Sequence, residues 1–161
     1  ARALIDGLRA SESEWVLSLD TDGQCDPGDF PALWARRGEA DVVIGWRRDR
    51  ADSRHRRLAS GAFHAVYGAL FQAPVHDPSC PYALLRREAI APLVDRLGVL
   101  EFGFWWELVA RAQRAGLRLV EVPIHHRPRA AGETRVFTAA KLPALALSHL
   151  VGLGRLWAQT R

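Results

Sequence analysis

Asp20 and Asp22 stand two residues apart in Asp20-Thr21-Asp22, directly after the short apolar run Trp15-Val16-Leu17-Ser18-Leu19. Alternate residues of an extended segment share a face, so both carboxylates can turn toward one point. Such a pair suits a hard cation. Mg2+ and Mn2+ take carboxylate oxygens and commonly keep positions for water and a substrate diphosphate, and a cation so held neutralises a departing nucleotide diphosphate. The same three residues also make an ordinary acidic turn, because Asp is favoured in turns, and the pair alone does not choose between the two.

The second chemical signal is arginine. Of 22 basic residues Lys141 is the only lysine, and the formal net charge is +4. Guanidinium groups are suited to bidentate capture of phosphate or carboxylate, so an anionic ligand is one reading; arginine replacing lysine across an ordinary surface is the other. The arginines gather in two stretches, 47–57 and 127–135. Cys25 and Cys80 are isolated, with no C-x-x-C pairing, which suggests neither a zinc knuckle nor a disulfide framework and fits a reducing cytoplasm.

Hydrophobic periodicity supplies the elements that must position these groups. A helix ends near Ala10, and a buried-type strand runs to Leu19. Asp26-Pro27-Gly28-Asp29 opens a helix to about Arg36, and Asp41-Val42-Val43-Ile44-Gly45-Trp46 is a second strand. A long helix covers about Ser53 to Gln72, a strand Tyr82 to Leu85, and helices Glu88 to Leu97 and Phe104 to Ala115, the last closed by Gly116. Leu117 to Val122 alternates as a half-buried strand, with Pro123 marking an edge or an end, and a final helix runs from about Thr138 to Ala158. Strands alternating with helices predict an α/β fold with a mixed sheet flanked by helices. With 48% hydrophobic and 25% charged residues in 161, the composition is that of a soluble globular domain. The longest apolar tract, Leu142 to Trp157, is shorter than the ~20 residues a bilayer span needs and is interrupted by Pro143, His149, Gly152, Gly154 and Arg155. Packing on the core and lying on a membrane surface are both open to it.

The run Ser18-Leu19-Asp20-Thr21-Asp22-Gly23-Gln24-Cys25-Asp26-Pro27 resembles the L-D-A-D-G-Q-x-D-P segment of family 2 glycosyltransferases of the GT-A fold, most nearly the dolichyl- or polyprenyl-phosphate glycosyltransferases. Four further segments are similar to that family in the same order. They are Asp41 to Arg47 (ending G-S-R in the family), Arg56 to Ser60 (R-x-x-x-S), Asp77 to Arg87 (D-x-x-S-G-F-R-x-F-R-R), and Glu121 to Ile124 (E-V-P-I) followed by Arg129 to Arg135 (R-x-x-G-E-S-K).

The resemblance implies an inverting, metal-assisted transfer of a sugar from a nucleotide-diphosphate sugar to a polyprenyl phosphate, at the cytoplasmic face of a membrane. Asp20 and Asp22 would hold Mg2+ or Mn2+, with Gln24 either a further ligand or turn packing. Arg47, Arg56 and Ser60 would contact a lipid or donor phosphate near a helix amino terminus. Arg129, Thr134 and Arg135 correspond to a phosphate-binding loop. Asp77 is the candidate acceptor-side carboxylate, its competing reading being the cap of an Asp-Pro turn. A lipid monophosphate has a second pKa near ~6, so it needs little deprotonation and Asp77 is expected to orient more than to abstract. Glu107 is read as structural, and His125 and His126 as surface or packing residues.

Pro81 and Ala83 depart from the family's Gly and Arg, removing an anion contact that Arg86 or Arg87 would have to supply. The resemblance also implies βαβ units before the metal motif, on the order of 60 residues, so residues 1–161 are read as one amino-terminally truncated GT-A domain without a transmembrane segment. Two other readings stay open. One is a degenerate, non-catalytic GT-A remnant; the other is a basic nucleic-acid-binding module, which the pI of about 9.8 favours but which no nucleic-acid motif supports.

Overall fold

A computed structural model describes residues 2–48, 54–100, 103–127 and 142–161. Helix α1 (Arg2–Ala10) leads to strand β1 (Trp15–Ser18); a 3-10 turn at Pro27–Asp29 runs into α2 (Phe30–Ala35), followed by β2 (Val42–Arg47) and α3 (Arg54–Phe71). Then come β3 (Ala83–Arg86), α4 (Arg87–Val94), α5 (Phe104–Arg114), β4 (Leu119–Ile124) and α6 (Leu142–Gln159). Each element predicted from periodicity is present. Gly116, with φ +74°, follows the end of α5 in the left-handed conformation that a helix stop favours.

The four strands form one mixed sheet in the order β1-β3-β2-β4. β3 is antiparallel to both β1 and β2, while β2 and β4 run parallel. The central position of β2 explains its composition. Val42, Val43, Ile44 and Gly45 are all buried, as expected of a strand covered on both faces and read as a continuous apolar run. β4 is an edge strand, which accommodates Pro123 in its ladder. β1 is the other edge and is less covered, with Leu17 41% exposed.

The main core joins β2 and β3 to Leu33 of α2, Ile90 and Leu93 of α4, and Leu108, Val109 and Ala112 of α5. A second cluster joins Tyr67 and Phe71 of α3 to Ala110 of α5 and to Leu153 and Leu156 of α6. α5 therefore packs on both sides. Its Glu107 is fully buried, accepting hydrogen bonds from the backbone N–H groups of Gly98 (3.1 Å) and Leu100 (2.9 Å) and from Arg111 Nε (2.9 Å). Arg111 in turn donates to Gln159 at 2.8 Å, so this pair ties the loop before α5 to the end of α6. That is the structural role expected for Glu107. Among the described residues no helix is long and apolar enough to cross a membrane.

Gly45 marks the tightest approach in the sheet. A Cβ there would lie 2.8 Å from Ile124 Cδ1, 3.1 Å from Cys80 Sγ and 3.1 Å from the Tyr82 carbonyl oxygen. The carbonyl is backbone that also accepts the Gly45 N–H at 2.8 Å, so it cannot retreat without breaking a ladder bond. Gly45→Ala is expected to destabilise the fold by about 1–3 kcal/mol through overpacking, read as a lower urea midpoint with an unchanged m-value.

Candidate active site

All four strands contribute to one end of the sheet. Ser18, Ala83 and Ile44 are level in the ladders, as are Arg47 and Ile124. Asp20 and Asp22, just past β1, Arg47 at the end of β2, the 74–82 loop that enters β3, and His125 after β4 therefore share that end. Crevices outside the carboxyl ends of strands are where open α/β sheets bind ligands.

Asp20 and Asp22 are exposed, and Asp22 lies in a bend over residues 21–23 rather than in an extended segment. Gly23 adopts φ +75°, and Asp22 Oδ1 accepts the Gln24 N–H at 3.1 Å, closing an Asx-type turn. The shared-face argument from strand periodicity therefore does not describe this motif; local turn chemistry overrides it. Gln24 Nε2 donates to the Arg127 carbonyl at 3.3 Å and its own backbone carbonyl accepts the Arg127 N–H at 2.7 Å.

The segment after the motif is fastened to the segment after β4. Cys25 bridges His126, Asp26 pairs with Arg127, and Asp29 accepts both the His125 N–H (2.7 Å) and a bond with His125 Nδ1 (2.8 Å). The two histidines thus take different surroundings, His125 exposed and His126 half-buried. The hydrogen bond and charge of Asp29 raise the His125 pKa above its ordinary 6.5. A raised folded-state value means the contribution is fully present below that ordinary pH and is lost as pH rises through the higher midpoint. Asp29→Asn is expected to lower the His125 titration midpoint toward its ordinary value, checked by NMR titration of the ring.

Asp77 is 3% exposed. Arg47 grips it bidentately, Nε to Oδ2 at 2.6 Å and an Nη to Oδ1 at 2.9 Å, and the same Nη donates to Ser79 Oγ at 2.8 Å. Ser79 Oγ donates to Asp77 Oδ1 at 2.8 Å. Burial works against the Arg47 cation, but the hydrogen bonds and charge of Asp77 outweigh it and its pKa is raised. Arg47, expected at a phosphate, here binds a carboxylate. An Asp77 carboxylate that already accepts from a guanidinium and a hydroxyl is suited to orienting a partner rather than to removing a proton.

Cys25 is buried. Its thiol pKa is pushed up by burial, eased by Arg47, and raised again by the charges of Asp20, Asp22 and Asp77. Burial likewise pushes the Cys80 thiol up to about 12. Both cysteines are free and buried.

Arg86 and Arg87 do not replace the arginine absent at Ala83. Arg86 is level with Trp15 and meets Asp41 and Glu14, and Arg87 donates to the Ser13 carbonyl, all at the opposite end of the sheet. Arg56 and Ser60 lie in the first turns of α3, where the backbone alone is described. Arg129, Thr134 and Arg135 lie outside the described residues. One residue escaped the sequence reading as a site group: Glu121, whose carboxylate accepts the Asp77 N–H at 2.7 Å. Its sequence signals were its place at the head of the Glu121 to Ile124 motif and its charge within an otherwise apolar strand.

Among the described residues no group of three or more His, Cys, Asp and Glu side chains is placed to hold an ion. Two exposed carboxylates at a bend nevertheless fit Mg2+ or Mn2+, which are usually bound through one or two carboxylates together with substrate phosphates and water.

The sheet order, its flanking helices and a site at this end define a GT-A glycosyltransferase fold. The crystal structure of glucosyl-3-phosphoglycerate synthase from Mycobacterium tuberculosis, in complex with Mn2+, UDP-glucose and phosphoglyceric acid, superimposes with a TM-score of 0.65 at 19% identity, over 97% of this chain and 54% of that one. Residues 1–93 match the glycosyl transferase family 2 model, and the chain belongs to that family. An uncharacterized glycosyltransferase of Mycobacterium bovis is 35% identical over 136 residues, 81% of this chain and 60% of the relative. The dodecaprenyl-phosphate galacturonate synthase of Rhizobium johnstonii is 28% identical over 91 residues, 55% of this chain and 27% of that protein. The chain thus spans about 60% of the length of the mycobacterial relative.

Proposed function

We propose that this protein is a metal-assisted, inverting glycosyltransferase that moves a sugar from a nucleotide-diphosphate donor to a polyprenyl phosphate at the cytoplasmic face of a membrane. The observation that carries this reading is that the exposed Asp20–Asp22 turn past β1 and the buried Arg47–Asp77 pair at the end of β2 lie at one end of the sheet. Residues 1–161 act in it as one part of a GT-A domain.

Asp20 and Asp22 would hold Mg2+ or Mn2+, which when bound supplies positive charge beside the departing diphosphate. The acceptor phosphate oxygen forms the new bond to the anomeric carbon as the bond to the diphosphate oxygen breaks, and the configuration inverts. Already ionised at neutral pH, the acceptor needs placement and charge balance. Asp77, fixed by Arg47 and Ser79, supplies a rigid wall that orients it, and Arg47 balances the Asp77 charge so that an anion can approach. Arg56, Ser60, Arg129, Thr134 and Arg135 are assigned to the phosphates on the family pattern. The lipid acceptor draws its support from the Rhizobium relative, which is named for dodecaprenyl phosphate.

Incubation of a complete GT-A domain that carries residues 1–161 with Mn2+, a panel of nucleotide sugars including UDP-glucose, and either dodecaprenyl phosphate or phosphoglyceric acid tests this reading. Sugar transfer to dodecaprenyl phosphate is expected. Transfer to phosphoglyceric acid alone would replace the lipid with a small acidic acceptor. No transfer, together with no Mn2+-dependent binding of any nucleotide sugar, would overturn the enzymatic reading.

A further inference from the structure

We propose that Glu121 is the positioning residue of the Asp77 loop, setting the alignment of Asp77 through its backbone; the proposal rests on reading Asp77 as the acceptor-side carboxylate. Glu121 lies on β4, level with Ile44 of β2, and its side chain is 9% exposed. One carboxylate oxygen accepts the Asp77 N–H at 2.7 Å and the other lies 2.8 Å from His76 Nδ1. Arg47 on β2 takes the Asp77 side chain, while Glu121 on β4 takes its main chain. Two neighbouring parallel strands thus hold one residue from two directions.

His76 completes the clamp. Its ring stacks on Trp46, with centroids 4.5 Å apart and planes 16° from parallel, and its carbonyl lies 3.1 Å from His64 Nε2 on α3. Trp46 directly precedes Arg47, so the stack also holds the segment carrying the guanidinium. A largely buried carboxylate on an edge strand is a costly way to gain stability, since an apolar side chain of similar volume often serves as well. What a carboxylate adds is direction: its two acceptor oxygens face two successive residues of the loop. Because the Asp77 carboxylate accepts four hydrogen bonds from Arg47 and Ser79, a shift of its backbone misaligns all four at once.

A double-mutant cycle separates this role from a general structural one. Asp77→Asn, Glu121→Gln, Glu121→Ala and the Asp77→Asn/Glu121→Ala pair are compared for Mn2+-dependent transfer from UDP-glucose to dodecaprenyl phosphate, alongside the NMR shift of the Asp77 amide proton. Glu121→Ala is expected to lower kcat about 30-fold with the UDP-glucose KM changed less than about threefold, as misplacement near 1 Å does. Glu121→Gln keeps one carbonyl oxygen for the Asp77 N–H and is expected to recover to within about fivefold of wild type. The double variant is expected to be no slower than Asp77→Asn alone, and the Asp77 amide is expected to move upfield in Glu121→Ala. Losses that multiply in the double variant, or an Asp77 amide unmoved in both Glu121 variants, would overturn the assignment. Should the alanine variant not fold, Glu121→Met, which keeps much of the volume but has no strong acceptor for the Asp77 N–H, takes its place in both the cycle and the amide measurement. If Asp77→Asn leaves kcat intact, the reading of Asp77 fails and this one with it. If Asp77→Asn slows transfer and Glu121→Ala does not, only Glu121 is misassigned.

Discussion

Arg47→Ala is expected to destabilise the fold by about 3–5 kcal/mol, because it leaves the Asp77 carboxylate buried without its counter-charge. Side-chain exposure at this pair is 11% for Arg47 and 5% for Asp77, so water does not replace the lost partner. The surface pair Arg9–Asp95 has a similar contact distance, 2.7 Å, but side-chain exposures of 54% and 79%. Pairs of that kind contribute on the order of 0–1 kcal/mol, since solvent already screens both charges. The penalty at Arg47 is mainly that of stranding Asp77 rather than the intrinsic worth of the pair. Removing both groups in Arg47→Ala/Asp77→Ala is therefore expected to recover part of the loss. Urea unfolding of the two variants checks both statements, and a double variant no more stable than the single one would contradict the account. Arg47→Lys keeps the charge but loses the bidentate fork, and an intermediate loss is expected from it.

Asp22→Ala is expected to act on ligand rather than on fold. Transfer should fall about 100–1000-fold, the scale seen when one group stabilising developing charge is removed. Mn2+-dependent binding of UDP-glucose, followed by calorimetry with and without the cation, should be lost. Stability should change by no more than about 1 kcal/mol, because Asp22 is exposed and its bond to the Gln24 N–H closes a local turn. Asp22→Asn separates the two contributions: its side-chain oxygen can still close the turn, while the charge that attracts a cation is gone. Retained cation dependence in both variants would remove this motif from the mechanism.

Much of the molecule is legible in its residue order. Buried-strand composition placed β2, a helical period placed α5, and Gly116 and Pro123 announced a helix stop and a sheet edge, because each of these depends on neighbours a few residues away. The ordered motifs from Asp20 to Arg135 were likewise sufficient to indicate the family. Even there, local detail was misjudged at one point. Alternate residues share a face only in an extended chain, whereas Gly23 and the Asp22 side chain bend it here.

Partnerships across the sheet were not legible. Arg47 and Asp77 are 30 residues apart, and nothing in their local patterns says that one would neutralise the other. Arg86 and Arg87 follow Ala83 closely enough to suggest a substitute anion contact, yet the antiparallel insertion of β3 carries them to the far end of the sheet. Glu121 reads in sequence as one charge in a half-buried strand, and it meets Asp77 only because β4 lies parallel to β2 with Ile44 opposite it. Periodicity and turn chemistry thus determined the elements and the acidic turn, since those are local free energies. Strand order and register alone decided which charges meet, because a one-residue slip or an exchanged strand would leave every local preference intact while separating Asp77 from both of the groups that hold it.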